Sequence, residues 1–193
     1  MVITANLTPN EVAALAGAPR TMVEKALEQK VLASSPEAGG QKRLLPLHAV
    51  ALVATVKSLG RRLTVNDKRL VARALARLSP ADLKTAEVEV VPSAVVHVGS
   101  LSRAAVERAE RYAVARDAFI EIVEGVKGGR PVIKGTRLSI SAVHGRLSSG
   151  DSVDDLVSDY PDIPREAFEA AFLYGETHPH VGRPAGDRTG HAA

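Results

Sequence analysis

The sequence predicts a mainly α-helical protein with short β-hairpins. Three observations carry this. Helix-start signals recur along the chain: Thr8-Pro9-Asn10-Glu11, Pro46, Ser152 with Asp155, and Pro164. Apolar residues behind them return every three to four positions. Two Val- and Ile-rich stretches instead alternate between Pro, Gly and Ser breaks, which is strand patterning.

The elements follow in order. Thr8 to Glu11 forms a capping box with proline at the first helical position. Val12, Leu15 and Ala16 give this helix its apolar stripe, and Gly17 ends it. Ala18-Pro19 turns the chain into a second helix over about 20–30, with Met22, Val23, Ala26 and Leu27 inward. Two short helices joined by a tight Gly-containing turn form a helix-turn-helix pattern. Residues 33–45 read as a hairpin with a Gly39-Gly40 tip and a basic Lys42-Arg43 pair. Pro46 opens a helix running to Gly60. Thr64 or Asn66 caps the next, about 67–78, on which Arg69, Arg73 and Arg77 recur every four residues. Ser79-Pro80 ends it.

Residues 86–91 and 94–99, separated by Pro92-Ser93, read as a β-hairpin. A helix over 101–116 and a strand over 119–123 follow. Segment 128–140 reads as a Gly-rich turn, a strand over 131–133, a turn at Lys134-Gly135 and a second short strand. Three helices close the ordered chain, at about 141–148, 153–160 and 165–175. The expected organisation is an N-terminal DNA-binding unit (1–80), a connector (81–118), a helical unit for dimerisation and partner binding (119–177) and a flexible tail (178–193).

Composition bounds the function. The chain has 193 residues, is 45% hydrophobic and can bury one or two modest cores. It has no cysteine, which excludes disulfides and thiolate metal sites and fits a reducing cytoplasm. No stretch of 18 apolar residues exists to span a membrane, and MVITANLTPNE lacks a secretory pattern. The net charge of +3 hides a split. Residues 1–80 hold 12 Lys+Arg against 5 Asp+Glu, a net of +7, which suits a polyanion. Residues 81–193 carry a net of −4 and all six aromatics, the residues that protein interfaces favour. No catalytic set of Ser, His and Asp stands at a recognisable motif. His178, His180 and His191 lack companions at metal-ligand spacing. The expectation is a non-enzymatic protein without cofactor or metal.

Two stretches carry resemblances. LTPNEVAALAG, APRTMVEKALEQKVL and KRLLPLHAVALV, within residues 7–60, resemble the winged helix-turn-helix of MerR-type regulators. GGRPVIKGTRLSISAVHGRLSSGDSVDDLVSDYPDIPREAFEAAFLYGE (128–176) is similar to the bacterial domain of unknown function numbered four-three-three. Gly129, Pro131, Val132, Ile133, Gly135, Thr136, Arg137, Asp159, Tyr160 and Pro161 carry that likeness.

The second resemblance implies a VapB-like antitoxin, which neutralises a PIN-like (VapC-type) endoribonuclease toxin and represses its own operon as a homodimer on operator DNA. The first places residues 20–30 in the major groove, with Arg20, Thr21 and Lys25 as DNA contacts and Lys42 and Arg43 on the wing. Phe168, Phe172 and Tyr174 are the expected partner anchors. Arg183 and Arg188 of the tail are expected to meet the toxin's carboxylates. Arg130, Lys134, Gly135, Thr136 and Arg137 form either a structural turn or a phosphate contact, the structural role being favoured. The alternative is a stand-alone MerR-like transcriptional regulator with a ligand-sensing C-terminal domain.

Overall fold

The computed structural model describes residues 6–36, 43–92, 94–122 and 130–178. Helices dominate, joined by three two-stranded antiparallel pairs among the described residues.

Helix α1 (Pro9–Leu15) starts as its sequence dictates. The Thr8 hydroxyl accepts from the Glu11 N–H, and the Glu11 carboxylate accepts from the Thr8 N–H at 2.6 Å. Gly17 adopts a positive φ of 61° just past the C-cap, where a side chain is disfavoured. Helix α2 (Arg20–Glu28) follows. Strands β1 (Ser35–Pro36) and β2 (Arg43–Leu44) pair next, and the expected Gly39-Gly40 tip lies outside the described residues. Leu7 and Leu45 exchange backbone hydrogen bonds of 2.9 and 2.7 Å, tying the entry of α1 to the end of β2.

Helix α3 (His48–Leu59) is apolar on every face, so it is buried from Ala49 to Thr55 and forms the axis of the core. Thr55 remains satisfied there by donating to Ala51 O at 2.8 Å. Helix α4 (Val65–Leu75) begins earlier than the expected residue 67, because Thr64 and Asp67 form its capping box. Pro80 does not merely end α4. It takes the first position of a short helix, α5 (Pro80–Leu83), which Ser79 caps.

Strands β3 (Val88–Val91) and β4 (Ala94–Val96) form the second hairpin. Helix α6 (Val98–Phe119) is longer than expected at both ends. It takes up Val98 and Gly99, which were expected in a strand. Gly99 meets the α5 exit closely: its N–H donates to Ala86 O at 2.8 Å, and a Cβ there would lie 2.7 Å from Lys84 O. Phe119, expected to open a strand, is the last residue of α6, and β5 (Ile120–Ile122) follows without a break. Strand β5 pairs with β6 (Pro131–Ile133). The second strand expected after Lys134 reduces to one bridge, Val132 with Ser139. Helices α7 (Ile140–Ser148), α8 (Val153–Asp159) and α9 (Arg165–Thr177) complete the described chain. No described helix is long and apolar enough to cross a membrane.

Two cores result. The first runs from Leu7 to Ala115, is almost wholly aliphatic, and includes Tyr112 and Ala170. The segment 81–118 therefore contributes α6 to this core, where it packs along α3. The second core surrounds Phe168 with Ile133, Ile140, Val143, Leu156 and Ile163. Phe119 and Ile120 pack against both.

Candidate functional site

Three surfaces bear on function. The first is α2 and its surroundings. Arg20, Thr21 and Lys25 all lie exposed on α2. Arg20 is held back on its own helix, with Nε 2.7 Å from Glu24 Oε1. Lys25 stands beside Lys68 of α4 along a small cleft. Arg43 is exposed at the start of β2, and Lys42 lies outside the described residues. At the other end of α2, Arg69 of α4 donates from Nη2 and Nε to Gln29 O, at 2.7 and 3.2 Å. That fork satisfies a carbonyl which the helix end leaves open, and fixes α2 against α4.

The second surface is the GTR turn. Gly135 has a φ of 74°, which explains the glycine. Its N–H donates to Glu121 Oε1 at 3.1 Å, so a carboxylate stands where a bound phosphate would. Thr136 Oγ1 donates to Ile133 O at 2.8 Å and accepts from the Leu138 N–H at 3.1 Å. Arg130, Lys134 and Arg137 are exposed around the turn. Thr136 thus braces the turn from within.

The third surface is α9. Phe168, expected as a partner anchor, is fully buried in the second core and offers nothing to a partner. An apolar face read from spacing alone does not say what covers it; here α7 and α8 do. Phe172 and Tyr174 are partly buried. The Phe172 ring stacks on His144 at 5.3 Å, and Tyr174 stacks on His178 at 4.0 Å. Arg183 and Arg188 lie outside the described residues.

Sequence reasoning missed a groove between α6 and α9, of about 770 Å³. Its floor holds Val114, Ala115, Phe119, Ala170 and Leu173. Arg108 and Arg111 stand on the α6 side, and Glu166 and Glu169 on the α9 side. The signal was present: Val114 is an apolar residue on the charged side of α6, and it is 52% exposed.

It also missed a buried polar cluster. Glu11, expected only as a capping residue, is fully buried. Its Oε1 accepts from Tyr112 Oη at 2.6 Å and from Arg116 Nη1 at 3.1 Å. Burial, then the Glu11 charge, holds the Tyr112 phenol well above its ordinary range. Burial lowers the Arg116 guanidinium, but the charges and hydrogen bonds of Glu11 and Asp117 together raise it above its usual value.

The acids of 151–162 are largely engaged by the fold. Arg146 pairs with Asp151 at 2.5 Å and Asp159 at 2.7 Å, and Arg165 pairs with Asp154. The bonds to Asp151 and then Asp159 raise the Arg146 guanidinium above its usual value. Asp155 closes the α8 capping box with Ser152, whose bonds lower its carboxyl below the ordinary value.

Comparison with known proteins agrees with one of the two resemblances. Residues 120–175 match the family described as "Protein of unknown function (DUF433)", which spans β5 through nearly all of α9. A protein of Sinorhizobium fredii (strain NBRC 101917 / NGR234), printed as "Uncharacterized protein y4eO", is 32% identical over 81 residues. That alignment covers 42% of this chain and 36% of the relative, so the chain spans about a third of the relative's length. No solved structure matches the chain.

Proposed function

We propose that this protein is an antitoxin. It binds a PIN-like (VapC-type) endoribonuclease toxin directly and, as a cytoplasmic homodimer, represses its own operon on operator DNA. The observation that carries the DNA-binding part is the α1–α2 pair. It is a short helix, a tight turn at Gly17, and a second helix with Arg20, Thr21 and Lys25 exposed. The β1–β2 pair beside it supplies the wing, with Arg43 on its rim. The partner-binding part rests on the resemblance of residues 128–176 to the domain of unknown function four-three-three, which implies a VapB-like antitoxin. The α6/α9 groove is its surface, since an apolar floor between charged rims suits a protein interface. This reading assigns the protein no catalysis and no cofactor.

Two experiments test it. Tagged full-length protein should co-purify with a small nuclease from its own host, and it should retard a duplex spanning the region upstream of its own gene. Arg20→Ala and Lys25→Ala should each weaken that retardation. Wild-type affinity in both variants would remove α2 as the reading helix.

The groove favours one other reading, a stand-alone regulator that senses a small apolar ligand. Its volume falls within the range of small-molecule sites. A neighbouring toxin reading frame supports the antitoxin. Its absence, with ligand-dependent release from DNA, supports the regulator.

A further inference from the structure

A row of arginines on α4 and the turn just past it lies apart from the residues that the helix-turn-helix resemblance assigns to DNA. Arg69, Arg73 and Arg77 recur every four residues, and with Asn66, Leu70 and Ala74 they line a shallow surface groove of about 480 Å³. Their roles divide. Arg69 is committed to Gln29 O at the end of α2. Arg73 and Arg77 are exposed, and neither has an ion-pair partner among the described residues.

The surrounding charges sharpen the contrast. Of the acids described in this half, Glu11 is buried with Tyr112 and Arg116, Glu24 holds Arg20, and Asp67 closes the α4 capping box. Glu28 alone is left without such a role among the described residues, near the end of α2. Lys25 and Lys68 share the neighbouring cleft, and neither is ion-paired among the described residues. The fold thus neutralises acids while leaving a row of cations unmatched. Unmatched like charges set in a row are unfavourable by themselves and favour a polyanion.

We propose that α4 and the turn that follows it form a phosphate-tracking face for duplex DNA, with Arg73 of the helix and Arg77 of the turn as backbone contacts and Arg69 as the residue that sets their position relative to α2. The proposal rests on the DNA-binding reading and adds a second element to it. Arg69 and Arg73 stand about 6 Å apart along the helix, and Arg77 follows in the turn at its end. Each strand of a duplex carries a phosphate every ~3.4 Å of the axis, so both guanidinium groups find phosphates on one strand edge. Such contacts fix affinity and register without reading sequence.

The test measures binding of the full-length protein to its upstream duplex, and to a duplex of unrelated sequence, over a series of salt concentrations by fluorescence anisotropy. The expected result is that Arg73→Ala and Arg77→Ala each lower the salt slope by about 1, weakening both duplexes alike. Arg73→Lys keeps the slope, since the charge remains. Arg20→Ala weakens the upstream duplex more than the unrelated one. Melting temperatures within a degree or so of wild type confirm folded variants. An unchanged slope in the Arg73→Ala/Arg77→Ala double variant that still binds DNA overturns the α4 assignment and leaves the α2 reading intact. No binding to either duplex by the wild type overturns both. Salt-dependent self-association lost in the double variant, with its DNA slope unchanged, also overturns the proposal and assigns the row to a second copy.

Discussion

Tyr112 Oη donates to Glu11 Oε1 at 2.6 Å, across 101 residues of chain. The other carboxylate oxygen of Glu11 accepts the Thr8 N–H at 2.6 Å. One buried side chain therefore both begins α1 and fixes it to α6. Tyr112→Phe should destabilise the fold by about 1–3 kcal/mol, the cost of leaving a buried acceptor short of a donor. Glu11→Ala should cost about 3–5 kcal/mol, because Arg116 then loses its buried counter-ion. Urea unfolding measures both. A loss below about 0.5 kcal/mol for Tyr112→Phe would mean the bond contributes no net stability.

Gly175 and Gly145 should respond in opposite directions to the same change. A Cβ on Gly175 would sit 2.7 Å from His144 Cβ, where α9 packs against α7. Gly175→Ala should cost about 1–3 kcal/mol. Gly145 lies within α7, and a Cβ there meets nothing within 4 Å. Gly145→Ala should stabilise by about 0.5–1 kcal/mol through helix propensity alone. Thermal melts of the two variants moving the same way would contradict the α7/α9 packing.

Phe168 and Val114 separate stability from partner binding. Phe168 is fully buried, so Phe168→Ala should cost about 3–5 kcal/mol. Val114 is exposed in the α6/α9 groove, and Val114→Asp should leave stability within about 0.5 kcal/mol. If the groove holds the toxin, this variant loses toxin neutralisation while staying folded. Full neutralisation by Val114→Asp would move the partner elsewhere.

Two kinds of group set the pH response. Burial lowers the His48 imidazole below its usual 6.5. The unfolded chain then takes up a proton more readily than the folded one, so stability should fall as pH drops below about 6.5. His48→Gln should flatten that limb. Asp67 is held below its usual 3.8 by bonds from the Thr64 side chain and backbone. Its contribution is present above that value and is lost only as pH falls through the lower folded value. Asp67→Asn should therefore narrow its gap to wild type in strong acid. Unfolding free energies from pH 8 to pH 2 would show both limbs.

Local chemistry was the legible part of this chain. Thr8 with Glu11 and Ser152 with Asp155 announce helix starts because a capping box is complete within four residues. The apolar spacing of α3 and α9 is equally local. What escaped was decided at a distance. Whether Phe168 faces a core or a partner depends on α7 and α8 arriving beside it. Phe119 ends a helix because α6 continues on the surface of α3, whereas its neighbours Ile120 to Ile122 alternate like a strand. The second role of Glu11 required a partner 101 residues away. The charge split was visible, but the engagement of most acids at 151–162 by Arg146 and Arg165 was not.

The side chain of Asn10 donates from Nδ2 to Thr177 O at 2.8 Å, across 167 residues. Ala170 of α9 also belongs to the first core. The ribosome therefore delivers α1, α3 and α6 well before the helix that closes over them. Until α9 emerges, the apolar wall that receives Ala170 faces water and chaperones. A chain broken off before residue 170 carries a permanently open seam, which proteases and aggregation partners can find. Closure of the first core thus waits for α9, the last of the described helices.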